Sequence, residues 1–168
     1  MPPCRRCLWD DYFSGIALAL DFLWTFRELL VKGDSKLGNY TDAVARYLLI
    51  HLGFSIEDID EANRVFWQRL KAGTMGDLGD AVGRIADFVK DNDWLKNYVV
   101  SSMTAMATIQ DSPVTAEQIA FIRIFQDVLD MRLSQFESAL DKGQEWGIAL
   151  NYVVSQYALA KGYIVKKK

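Results

Sequence analysis

The chain has 168 residues, enough for one domain over 1–168 to bury a sizeable core without disulfide or metal staples. With 51% hydrophobic and 24% charged residues, its composition excludes a disordered polar chain. A net charge of -3 excludes the basic field that sequence-independent nucleic-acid binding requires.

The chain opens with Cys4-Arg-Arg-Cys7, a spacing that lowers a thiol pKa beside arginines or supplies half a zinc site. No second cysteine pair completes either arrangement, and the motif precedes the first helical pattern. Arg5 and Arg6 resemble the basic start of a signal peptide, but Asp10, Asp11 and Asp21 break up the apolar stretch such a peptide needs. The apolar run from Phe13 to Phe26 carries Asp21 and is too short to span a bilayer. The expectation is a soluble cytoplasmic protein, not an integral membrane one.

From Phe13 to Val31, residues Phe13, Ile16, Ala17, Leu20, Leu23 and Trp24 recur at helical spacing, with Leu18, Phe22, Phe26 and Leu29 between them. A helix apolar nearly all round is a central one. Gly33 ends it, and the polar loop Asp34 to Asn39 leads to a second helix over Thr41–Leu52, stopped by Gly53. Ser55 with Asp58 caps a third over Ile56–Ala72. Gly73, Gly76 and Gly79 mark a connector, and Asp80–Lys90 forms a fourth. Residues 93–109 make a second strongly apolar helix through Leu95, Val99, Val100, Met103 and Met106. Pro113 breaks the chain, and Thr115 with Gln118 caps a sixth helix ending near Asp130. Ser134 with Glu137 caps a seventh that stops at Gly143. An eighth runs from Gln144 to Lys161 and buries Trp146, Leu150, Val153 and Tyr157. The pattern predicts an all-α fold of about eight helices.

An offset of 77 residues brings the chain into register with itself. Asp34-Ser35 falls on Asp111-Ser112, Val44 on Phe121, Leu48 on Phe125 and Leu52 on Leu129. Phe54 falls on Met131, Ile59 on Phe136, Ala62 on Ala139, Leu18 on Leu95 and Phe26 on Met103. Two units, about 13–75 and 90–152, would then pack their apolar helices together about a pseudo-twofold axis.

The register singles out the acidic loops. Asp111 and Glu117 span a loop and a first helical turn, where two carboxylates converge on a divalent cation such as Ca²⁺ or Mg²⁺. The alternative is an Asp111 side-chain turn with Glu117 complementing the helix dipole. Asp34 is the equivalent acid of the first unit, but Tyr40 stands where Glu117 would be. His51, the sole histidine, sits near a helix C-terminus, where a cation suits the dipole. Asp21 needs a partner if buried, with Thr25, Arg46 or Arg123 as candidates. No phosphate loop, nucleophile elbow or zinc-protease motif occurs, so no catalytic residue is assigned.

The run from Ala105 through Asp111 and Glu117 to Phe125, continuing from Leu129 to Phe136, resembles the tellurite-resistance TerB-like domain. That family shows an apolar helix ending in Ala-x-x-Asp-Gly, a short loop, and a glutamate on the next helix. In this chain Ser112 and Ser35 replace the glycine. The resemblance implies a duplicated helical fold whose acids form a metal- or partner-binding surface. It points to a non-enzymatic module acting through protein contacts in a stress-response or envelope-associated assembly. Two further readings stand beside it: a divalent-metal domain, and an accessory subunit docking through Trp9, Tyr12 and Trp94. A protein partner is expected, a second copy of the chain included, and no cofactor beyond a divalent cation.

Overall fold

A computed structural model describes residues 15–32, 41–109 and 114–161. Among them are seven helices and no strand: α1 (Gly15–Lys32), α2 (Thr41–Leu52), α3 (Ile56–Ala72), α4 (Leu78–Val89), α5 (Asp93–Thr108), α6 (Ala116–Val128) and α7 (Leu133–Lys161). None is long and apolar enough to cross a membrane. The all-α expectation holds.

Helix starts follow the capping chemistry. The Ser55 hydroxyl accepts the Asp58 amide at 3.1 Å and opens α3. Thr115 and Gln118 form a reciprocal capping box on α6. The connector after α3 is shorter than its glycines suggest, because the Asp77 carboxylate caps α4 and draws Gly79 into the helix. Ser134 caps nothing: α7 begins at Leu133, so Ser134 lies inside its first turn.

The ends of α2 and α6 share one turn. The Phe54 amide donates to the Leu49 carbonyl at 3.1 Å, and the Met131 amide to the Gln126 carbonyl at 2.9 Å. Gly53 at φ 115° and Asp130 at φ 52° make the two reversals, each one residue before the buried apolar side chain of Phe54 or Met131. Aspartate tolerates this left-handed backbone better than most residues, which is why a non-glycine serves at the second turn.

Two central helices organise the core. In α5 every residue from Leu95 to Ala107 except Asn97 is buried. In α1, Leu18, Ala19, Phe22, Phe26 and Leu29 are buried to within a few per cent. These two helices pack on each other, α3 and α4 cover α1, and α7 covers α5 in the most extensive helix pair of the fold. Each short helix, α2 and α6, packs against both central helices. Where α6 meets α1, the buried Gln118 side-chain amide donates to the Leu29 carbonyl at 2.8 Å, serving a carbonyl in the last turn of α1.

The largest departure from expectation is at Gly143. It ends no helix, and the seventh and eighth predicted helices are one continuous α7. The reason is close packing. A Cβ at Gly143 would lie 2.5 Å from the Ser101 carbonyl oxygen and the Thr104 Cβ, and one at Gly147 would lie 2.5 Å from the Thr108 Cβ. Both glycines are buried in the α5–α7 seam, where their bare backbone lets the helices run side by side at short range. Ser101 adds a hydroxyl bond to the Ala139 carbonyl at 2.9 Å, and Gln135 bonds Asn97 at 2.9 Å. Past this seam α7 outruns its cover, and Val153, expected in the core, is 61% exposed. The Tyr157 side chain lies outside the described residues.

Gly143→Ala should therefore destabilise by about 1–3 kcal/mol through overpacking. Gly83→Ala, in the interior of α4 with open space around it, should stabilise by about 0.5–1 kcal/mol. Urea denaturation of both variants checks the opposite signs.

Candidate functional site: an aromatic cleft

One face of α5 presents Trp94, Asn97, Tyr98 and Ser101, spaced as neighbours along a helical stripe. Facing it, α7 presents Ser138, Asp141, Lys142, Glu145 and Trp146, and His51 closes the end from the last turn of α2. Together they line a cleft of about 710 Å³. A smaller hollow of about 240 Å³ adjoins it, sharing His51, Tyr98 and Trp146 and reaching Tyr47 and Leu150.

Rings form the walls. Tyr98 lies near-parallel to His51 at 5.2 Å and to Trp94 at 5.3 Å between centroids, and Trp146 tilts onto it at 5.6 Å. Tyr47 extends the series beyond His51 at 6.4 Å. Trp94 and Trp146 are half-buried and Tyr98 is buried, so the floor is dry and the walls are wetted.

Hydrogen bonding fixes the protons at the floor. The Tyr98 hydroxyl donates to the Leu48 carbonyl at 2.8 Å. That carbonyl only accepts, so the single phenolic proton is spent there. The His51 Nδ1, 3.0 Å from the same hydroxyl, is then the donor, and Nε2 of a neutral ring keeps its lone pair. Burial pushes the Tyr98 phenol far above its ordinary range, which holds it as the neutral donor this network needs.

A second cleft, of about 300 Å³, lies beside α1 and is lined by Ala17, Leu20, Asp21, Trp24, Arg69, Met75 and Arg84. Here Asp21 finds a partner outside the three candidates named from sequence. Arg84 of α4 binds it with two hydrogen bonds, Nε at 2.9 Å and Nη2 at 2.6 Å. Of those candidates, Thr25 bonds the Asp21 backbone carbonyl, Arg46 pairs with Asp60, and Arg123 lies over the Phe136 ring. Burial raises the Asp21 pKa more than the Arg84 bonds and charge lower it.

The acids proposed from sequence fare differently. Glu117 is exposed in the first turn of α6, while Asp34 and Asp111 lie outside the described residues, as do Cys4, Cys7, Trp9 and Tyr12. Among the described residues no three His, Cys, Asp or Glu side chains group as metal ligands. His51, by its sequence an isolated helix-end residue, is instead a wall of the larger cleft. Its signal is absent from local sequence, because Tyr98 is 47 positions away.

A raised carboxyl pKa means that ionising Asp21 costs folding free energy, so its favourable share is present at low pH and lost as pH rises through the raised value. Removing Arg84 sharpens this. Arg84→Ala should destabilise by about 2 kcal/mol at neutral pH, below the full buried-pair cost because the arginine is half exposed. Adding Asp21→Asn should recover most of that loss, and the Arg84→Ala penalty alone should shrink as pH falls through the raised Asp21 pKa and the carboxyl takes up its proton. Thermal unfolding of the single and double variants against pH measures all three.

The chain matches no protein-family model, no curated protein and no solved structure.

Proposed function

We propose that this chain is a non-enzymatic helical module that acts by protein–protein contact, with the aromatic cleft as its contact face. One observation carries the reading. Trp94 and Trp146 pack on the edge of the core yet stand only half-buried, at the walls of a roughly 710 Å³ hollow. Partly exposed rings around a concavity are the residues that dominate contact energetics between proteins. Among the described residues no nucleophile–base pair accompanies them in the cleft: Ser101 bonds the Ala139 carbonyl, and His51 bonds Tyr98 and neither cleft serine.

The duplicated TerB-like architecture belongs to the same proposal. Supporting it, the paired turns at Gly53 and Asp130 stand 77 residues apart, as do the starts of α3 and α7. The matched positions Val44 and Phe121, Leu48 and Phe125, Ile59 and Phe136, and Ala62 and Ala139 are all buried, while Ile56 and Leu133 are exposed to 55% and 54%. The packing of both short helices, α2 and α6, on each central helix is what a pseudo-twofold axis would generate. The two clefts also correspond. Ala17, Leu20, Asp21, Trp24 and Arg69 of the smaller one stand 77 positions before Trp94, Asn97, Tyr98, Ser101 and Trp146 of the larger. On this reading one ancestral hollow is held by an ion pair in the first unit and lined with rings in the second.

Affinity capture from the source cells with the full chain tests the function. Ser138 is exposed on the cleft wall, so Ser138→Trp should fill the hollow without touching the core, and Glu137→Gln on the neighbouring surface serves as control. A partner held by the unaltered chain and the control should be lost with Ser138→Trp. Equal retention by all three, or a substrate turnover that Ser138→Trp abolishes, would overturn the proposal.

A further inference from the structure

The cleft also limits the chemistry it can accept, on the footing that it is the contact face proposed above. Its exposed charges are unequal. Asp141 and Glu145 stand one turn apart on α7, with Lys142 as the one cation of the wall, and none of the three is held in an ion pair among the described residues. Both carboxylates therefore keep their accepting oxygens available to an incoming group.

The rings add to the same preference. The half-buried rings of Trp94 and Trp146 carry on their faces the negative lobe of the aromatic quadrupole, which draws a cation, while Tyr98 is buried behind them. His51 contributes an acceptor rather than a donor. Because its Nδ1–H is committed to the Tyr98 hydroxyl, a neutral ring turns the lone pair of Nε2 outward. An anion entering here would meet two carboxylates and several ring faces, with Lys142 as its only charged donor.

We propose that the cleft receives an arginine side chain from an extended segment of the protein partner. A guanidinium is flat, so it stacks on Trp94 or Trp146, and its forked N–H groups reach a carboxylate in bidentate fashion. A lysine ammonium has the charge without the plane. The volume of about 710 Å³ exceeds one side chain, which is why the occupant is a peptide segment and not a free small cation.

The test uses the full chain and three short capped peptides, Gly-Arg-Gly, Gly-Lys-Gly and Gly-Glu-Gly, followed by tryptophan emission and amide NMR shifts. The arginine peptide should shift Trp94, Tyr98 and Trp146 signals saturably and bind about fivefold tighter than the lysine peptide, while the glutamate peptide leaves them unmoved. The double variant Asp141→Asn, Glu145→Gln should weaken arginine binding about tenfold without changing the unfolding temperature, since both side chains are exposed. No saturable shift at millimolar peptide, equal binding of all three peptides, or unchanged binding by the double variant would overturn the assignment. These failures are separable from failure of the contact face itself. A captured partner lost with Ser138→Trp alongside silent arginine peptides removes the guanidinium alone, whereas capture insensitive to Ser138→Trp removes the face and the guanidinium together.

Discussion

The seam between α5 and α7 is the constraint on which the rest of the molecule depends. A helix buried around nearly its whole circumference, as α5 is, needs neighbours on every side, and one of them must approach its backbone closely. Gly143 and Gly147 make that approach possible, since any Cβ there would collide with Ser101, Thr104 or Thr108. The approach keeps α7 in step with α5, Gln135 beside Asn97 and Ala139 beside Ser101. Only with that register fixed do Asp141, Glu145 and Trp146 come to face Trp94 and Tyr98. The cleft is thus a consequence of glycine packing one helical turn along the same stripe.

Asp21 on α1 and Tyr98 on α5 are each buried beside a cleft, and the two are handled by different physics. Asp21 is charged chemistry in a desolvated place, and Arg84 offsets part of the cost with two hydrogen bonds while staying half in water itself. Tyr98 is neutral and spends its hydroxyl on the Leu48 carbonyl and the His51 ring. A neutral phenol leaves its surroundings free of counter-charge, so the walls around it can be aromatic. The ion pair lines its own cleft with a guanidinium from within the chain.

Much of the fold is legible from local signals. Thr115 with Gln118 and Ser55 with Asp58 are caps because their side chains reach amides three residues away, a relation that sequence spacing contains in full. The apolar density of 93–109 correctly announces a central helix. The failures are long-range. Gly143 looks like a stop because glycine weakens a helix in isolation, and only the partner backbone of α5 reverses that preference. The Ser134–Glu137 spacing imitates a cap, although the helix has already begun at Leu133. Asp21 plainly needs a partner, but Arg84 lies 63 positions away on a helix whose placement sequence cannot give. The cleft is the least legible part, for each of its members looks locally like a core stripe, a solvated face or a helix end.

The cleft is also where local stability and local chemistry part company. Half-buried Trp94 and Trp146 forgo part of the hydrophobic gain of full burial, roughly 25 cal/mol for each Å² of apolar surface left in water. The cleft beside α1 shows how a charged side chain from within the chain can serve such a wall, because Arg84 of α4 reaches across to Asp21 there. Beside α5 no internal side chain among the described residues plays that part. The helix that would deliver one, the far end of α7, instead runs outward with Ile148, Tyr152 and Val153 exposed. On the proposed reading, an arginine arriving from another protein would meet Asp141 or Glu145 beside the rings, as Arg84 meets Asp21. The two clefts then differ, on that reading, in the source of their guanidinium: one takes it from within the chain, and the other from a partner.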